Sequence, residues 1–264
     1  MTEERIRLRR EGAVAHLVLD DPGRLNALSD AMLAELKARL EEISADPSAR
    51  VVVLGAAGKA FCAGHDLKEM TAGRQSPDGG AAYFADLFAR CSAVMKLIRT
   101  MPQPVIARVH GVAAAAGCQL VASCDLAVAA EGTRFGVNGV NIGLFCSTPM
   151  VALSRNLPRK QAFEMLVTGE FLDAARAQEL GLVNRVVPVD WLDAAADELA
   201  EGIAAKLGAA VRIGKGVFYD QLELPLDRAY ELTSAAMVAN MLEPDTAEGI
   251  SAFLEKRAPA YRQD

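Results

Sequence analysis

The chain has 264 residues, of which 52% are hydrophobic and 23% charged, with a formal net charge of −6 and three histidines. This composition excludes a disordered chain, and the mild acidity excludes a basic face for nucleic acid. The length suits one large α/β domain with an appendage, or two small domains, around a substantial core.

In chain order, residues 1–5 hold no apolar stretch of a secretory signal, which points to a cytoplasmic protein. Residues 6–9 and 13–19 read as strands joined at Glu11-Gly12, and Asp21-Pro22-Gly23 breaks the second. Leu28, Met32, Leu36, Leu40 and Ile43 recur at helical spacing, which predicts a helix over 30–43 capped by Ser29. The apolar run 51–54 suits a buried parallel strand. A helix over 81–99 follows, then a break at Pro102 and Pro104, a strand over 105–109, a short helix from near Ala115 and a strand over 126–129. Such alternation argues for an α/β fold with parallel crossovers. Beyond about residue 147 the pattern is helical at 159–167, 173–179, 190–206 and 226–242, with one strand candidate over 183–187. The last helix is expected to begin with Asp245 as N-cap and Glu248 completing a capping box, and to end at Pro259.

The five cysteines, Cys62, Cys91, Cys118, Cys124 and Cys146, are scattered and sit in apolar context, so they read as buried free thiols of a reducing compartment. His16, His65 and His110 lie far apart without ligand spacing, and no CxxC occurs, so no metal site is expected. The most apolar stretch, 112–130, is interrupted by Gly117, Gln119 and Asp125 and does not read as a membrane span. Residues 55–60 resemble part of a phosphate-binding loop, but Ala60 stands where the hydroxyl residue is required.

Two segments carry chemistry. Residues 61–67, Phe-Cys-Ala-Gly-His-Asp-Leu, follow the strand at 51–54; Ala63 and Gly64 leave the backbone approachable, and Asp66 can cap the next helix. Residues 110–120 also follow a strand and open a short helix whose small side chains, Ala113 to Ala116 and Gly117, leave its N-terminal amides accessible. Each alone is as well explained by a tight turn or close helix packing. Two in successive strand–helix units point to an oxyanion held by backbone donors, without a cationic side chain.

These segments, with Asn26-Ala27-Leu28, Cys124-Asp125, Phe135-Gly136, the run 166–169 and the run 174–187, resemble the enoyl-CoA hydratase/isomerase family, the crotonases, over nearly the whole chain. Residues 113–125 and 143–149 resemble one branch of it in particular. The resemblance implies a ClpP/crotonase-like spiral of ββα units over residues 1–200 and a C-terminal helical oligomerisation region over 201–264. It implies an acyl-CoA substrate, coenzyme A entering as part of that substrate with no tightly bound cofactor, and a homotrimer or a hexamer built as a dimer of trimers. Tyr230, Met237 and Met241 are candidate interface residues. The family's oxyanion hole falls on the amides of His65 and Ala116, the latter where many relatives have glycine. Its coenzyme-contacting positions fall on Arg24, Leu25, Ala63, His65, Asp66, Leu67, Lys68, Phe253 and Lys256.

The family's hydratases use two glutamates, and the matching positions here hold Gln119 and Gly139. Gln119 cannot exchange a proton and Gly139 has no side chain, so each loss removes general acid–base help worth roughly 10²–10⁴. Ordinary hydration is therefore not expected. Asn138, Asn141, Cys146 and Ser147 are candidates to hydrogen-bond a substrate head group, Asn141 also as a catalytic-site residue. Relatives that decarboxylate methylmalonyl-CoA resemble the chain in carrying a histidine in the Ala-Gly-His-Asp turn. Three readings follow: a hydratase/isomerase-family lyase with altered acid–base residues, a decarboxylase using His65, and a non-catalytic acyl-CoA-binding regulator.

Overall fold

The computed structural model describes residues 4–262; Met1, Thr2 and Glu3, on which part of the leader reading rests, lie outside the described residues. A six-stranded sheet is built from β1 (Ile6–Glu11), β2 (Val14–Leu19), β3 (Val51–Ala56), β4 (Val105–Val109), β6 (Leu126–Ala130) and β9 (Arg185–Val187), side by side in that order. Only β1 runs antiparallel, closed onto β2 by the turn at Gly12 with φ +56°. The other pairs are parallel, from Val14 opposite Val51 to Ala130 opposite Val187. A second, three-stranded sheet joins β5 (Val112–Ala114), β7 (Arg134–Gly136) and β8 (Phe171–Asp173).

The chain turns the same corner repeatedly. After β4 it steps into β5 and then α4 (Ala116–Ser123); after β6 it steps into β7, a 3₁₀ turn over 138–142 and α5 (Ser147–Asn156). After β3 it reaches Cys62, which bridges to Ala113 of β5, and then α2 (Leu67–Gly73). This is a spiral of strand–strand–helix units.

Alternation along the buried strands divides the core. Leu17, Val52, Leu54 and Ala107 face α1 (Asp30–Ser44) and α3 (Ala81–Thr100), burying Leu36, Leu40 and Val94. Val51, Val53, Ile106 and Val128 face the other way, onto Leu192, Ala196 and Ala200 of α8 (Leu192–Ala204). Ser29 caps α1 by accepting the Met32 N–H at 3.2 Å. Fully burying one such aliphatic side chain is worth about 1.5–3 kcal/mol, so this two-faced core dominates the fold's stability. α6 (Arg159–Thr168) leads into β8, and α7 (Ala174–Glu179) lies between β8 and β9.

The C-terminal section is an arm of α9 (Gly208–Gln221), α10 (Leu226–Met241) and α11 (Pro244–Leu254), each packed on its neighbour. Two expectations about its last helix are corrected. Glu243, not Asp245, is the N-cap, because Pro244 takes the first helical position where its missing N–H costs nothing. Glu248 closes no capping box; it pairs with Arg257 and accepts the Ala260 N–H at 2.8 Å. The helix ends at Leu254, ahead of Pro259, where Lys256 turns left-handed at φ +56°. No helix among the described residues is long and apolar enough to cross a membrane.

Candidate active site

The two small-residue turns meet. Phe61 and Cys62 donate to the carbonyls of His110 and Val112, and Ala114 N–H returns to Cys62 O at 2.9 Å. A Cβ on Gly117 would lie 2.2 Å from Cys62 O, so glycine there is what lets α4 close onto the first turn. Gly64 takes φ +97°, and a Cβ on it would come within 3.5 Å of Ala116 N. The residue before the His65 amide thus sits against the Ala116 amide. Among the described residues, neither the His65 nor the Ala116 N–H has a protein acceptor, while the neighbouring amides of Ala63, Ala114 and Ala115 are all bonded. Ala115 is held at φ 48°, ψ −116°, a region that strains a side-chain-bearing residue, and it turns the Ala116 amide away from the β5 ladder.

Asp66 caps α2 by accepting from Lys68 N and Glu69 N at 2.8 and 3.3 Å. Arg24 Nη1 lies 3.3 Å from Asp66 and 3.8 Å from Glu69, so this cation is already matched by carboxylates. Leu25 accepts the Ala63 N–H at 3.1 Å, which places segment 24–25 beside the first turn; Leu67 and Lys68 are exposed there. The structure therefore gathers Arg24, Leu25, Ala63, His65, Asp66, Leu67 and Lys68 on one rim. It does not bring Phe253 and Lys256 there through packing of α11 on the core: α11 packs on α10, and Phe253 is 82% exposed.

The His65 ring folds back between α1 and α3. Its Nδ1 is 3.4 Å from Leu28 O, its edge meets Phe88 at 5.8 Å between centroids, and Nε2 is buried without a partner. Burial pushes its pKa below the usual histidine range, so the ring is neutral at pH 7. Phe88 was not legible as a neighbour of this site, because nothing in its spacing separates it from ordinary α3 core.

Gln119, on the first turns of α4, is buried with Oε1 unpartnered. It lines a cavity of about 720 Å³ bounded by α3, α4, α5 and α9. At Gly139 there is no room for a second acid: a Cβ there would lie 2.3 Å from Leu144 O and 2.8 Å from Cys146 Sγ. The Asn141 carboxamide lies against Gly169 at the end of α6. Asn138 is half-buried, and Ser147 is exposed at the start of α5. All five thiols are free and buried. Burial pushes Cys62, Cys91 and Cys118 up to about 12 and raises Cys146 as well, which suits packing rather than nucleophilic attack. Among the described residues no group of three or more His, Cys, Asp or Glu side chains gathers as a metal site.

Paired amide-bearing turns on a strand–strand–helix spiral define a protein of the crotonase fold. The family model Enoyl-CoA hydratase/isomerase matches residues 9–264, and the chain belongs to that family. Enoyl-CoA hydratase domain-containing protein 3, mitochondrial, of Rattus norvegicus is 47% identical over 253 residues, covering 96% of this chain and 83% of that relative. A crystal structure of an enoyl-CoA hydratase from Mycobacterium smegmatis superposes with a TM-score of 0.94 at 54% identity, covering 98% and 99% of the two chains. Human enoyl-CoA hydratase domain-containing protein 3 superposes with a TM-score of 0.93 at 45% identity, covering 98% and 100%.

Proposed function

We propose that this chain binds an acyl-CoA thioester with its carbonyl oxygen between the amides of His65 and Ala116, and that it stabilises the enolate formed there without hydrating ordinary enoyl-CoAs. The observation that carries this reading is the pair of unbonded amides brought together across Gly64. Two preorganised donors in a water-poor site stabilise a developing oxyanion without reorganising during the reaction. The thioester enters with coenzyme A on the rim of Arg24, Ala63, Asp66 and Lys68, and the acyl group passes Gln119 into the cavity.

Hydration needs a group to activate water and another to protonate the α-carbon, and neither Gln119 nor Gly139 can serve. A second reading, decarboxylation of a 2-carboxyacyl-CoA of the malonyl type, is favoured by the same pairing of an open oxyanion pocket with lost acid–base groups. Loss of carbon dioxide leaves its electron pair on the α-carbon, so the pocket alone lowers the barrier. In this reading His65 acts through its backbone N–H.

The chain exposes 13899 Å², against about 11,000 Å² for a compact monomer of this mass. Tyr230 and Met237 on α10 are 68% and 65% exposed. This excess surface, with the apolar side chains exposed on α10, supports a homotrimer or dimer of trimers, in which a neighbouring arm delivers Phe253 and Lys256 to the coenzyme. Five free buried thiols suit the cytoplasm or another reducing compartment.

The test is a panel of acyl-CoAs followed by mass spectrometry. Crotonyl-CoA is expected to bind and persist, and a malonyl-type thioester to lose carbon dioxide. Rapid hydration of crotonyl-CoA would overturn the reading of positions 119 and 139; absence of any binding would overturn the site.

A further inference from the structure

The cavity lined by Gln119 is lined by cations as well. From Ala116 to Ser123 α4 rises about 10 Å, and the cavity follows it to Ser123 and Asp125. Its apolar lining includes Met95, Val121 and Phe218. Its lining also carries Lys96, Arg99 and Arg155, with Asp125 and Glu223 as its acids.

The acids are already matched. Asp125 accepts from Lys215 Nζ at 2.7 Å, from Val105 N at 2.6 Å and from Tyr219 Oη at 2.8 Å. Glu223 pairs with Arg155 at 3.4 Å. Lys96 and Arg99, one turn apart on α3, have no carboxylate partner among the described residues. Arg99 is nevertheless fixed: its guanidinium lies 4.8 Å over the Tyr219 ring, and Nη2 donates to Tyr219 O at 3.2 Å. Its other nitrogens have no protein acceptor among the described residues. A partly buried, held guanidinium beside a free ammonium is suited to a carboxylate.

Resting on the acyl-CoA reading above, we infer that the acyl group carries a second carboxylate at its far end, seated on Lys96 and Arg99, so that the substrate class is a medium-length dicarboxylic acid monothioester of coenzyme A. The apolar side chains of the lining take the methylene chain, and the thioester carbonyl stays at the His65 and Ala116 amides.

Calorimetric titration of the full chain with octanoyl-CoA, its ω-carboxylate counterpart suberoyl-CoA and free coenzyme A tests this. Suberoyl-CoA is expected to bind about tenfold tighter than octanoyl-CoA, as one charge-assisted hydrogen bond can supply, and the preference should shrink with added salt. In Lys96→Met/Arg99→Met the ratio should fall to near unity. Lys96→Glu, a change on an exposed side chain, should also lower it and serves if Arg99 proves needed for folding. Equal affinities in the unsubstituted chain, or a preference that survives both variants, overturns the inference while leaving acyl-CoA binding intact. If neither thioester binds better than free coenzyme A, the acyl-CoA reading fails and this inference with it.

Discussion

Leu144 O stands 2.3 Å from where a Cβ on Gly139 would be, so the space a catalytic side chain would enter from this position is filled by backbone. A carbonyl in a loop bonded as this one is cannot swing aside as a side-chain tip can; Leu144 N–H itself donates to Gly139 O at 2.9 Å. Gly139→Ala is therefore expected to cost about 1–3 kcal/mol as overpacking, read as a lowered urea midpoint. Gln119→Glu combined with Gly139→Glu should fail to restore crotonyl-CoA hydration, followed by loss of the enoyl absorbance. Restored turnover would show that the 144–146 loop yields.

Lys215 joins the C-terminal arm to the core. Its Nζ donates to Ile98 O and Gln103 O, both at 2.8 Å, and to Asp125. Burial pushes its pKa below the ordinary lysine range, while Asp125 opposes that shift. Lys215→Met strands a buried carboxylate and is expected to cost about 3–5 kcal/mol. Adding Asp125→Asn removes the stranded charge; the carboxamide oxygen can still accept the Val105 N–H, and its NH2 can donate to the Tyr219 hydroxyl oxygen. The double variant should thus be more stable than Lys215→Met alone in chemical denaturation.

These particulars show where sequence reading ends. The strand–turn–helix units, the Ser29 and Asp66 caps and both amide turns were legible, because each is local: an apolar run, a capping residue, small residues at a turn. Strands β5, β7 and β8 have three residues each, too few for a period to register. Helix α9 contains Gly208, Gly214 and Gly216, poor helix formers, and is anchored on the core by Lys215 across 90 residues of chain from Asp125. Similarly, the absence of an acid at position 139 could be read from the sequence, but not that Leu144 O fills the space. The cationic character of the cavity lining depends on which acids are already paired, which only packing reveals.

The neutral, partly buried His65 makes stability fall in acid. Its folded pKa lies below the ordinary histidine value of about 6.5, so the unfolded chain binds the proton more readily. Its contribution is intact above pH 6.5 and is lost as pH falls through the folded value. His16, also lowered chiefly by burial, acts in the same direction. His65→Asn keeps a donor toward Leu28 O but cannot titrate. Urea midpoints at pH 7.5 and 5.5 should differ less in this variant than in the unsubstituted chain. An unchanged difference would mean that the ring is charged or free in solution.

Ala115 offers the most direct check on the oxyanion turn. Its φ of 48° with ψ −116° costs a residue with a Cβ about 1–3 kcal/mol. Glycine relieves that strain but makes the unfolded chain more flexible, a loss of about 0.4–1 kcal/mol. Strain relief is the larger effect, so Ala115→Gly should raise the urea midpoint, in line with the preference for glycine over alanine at an N-cap. The same change frees the peptide that aims the Ala116 N–H, so affinity for a non-hydrolysable acyl-CoA analogue should stay level or fall as stability rises. A lowered midpoint would mean that Ala115 adopts an unstrained conformation in solution, and with it a different direction for the Ala116 amide.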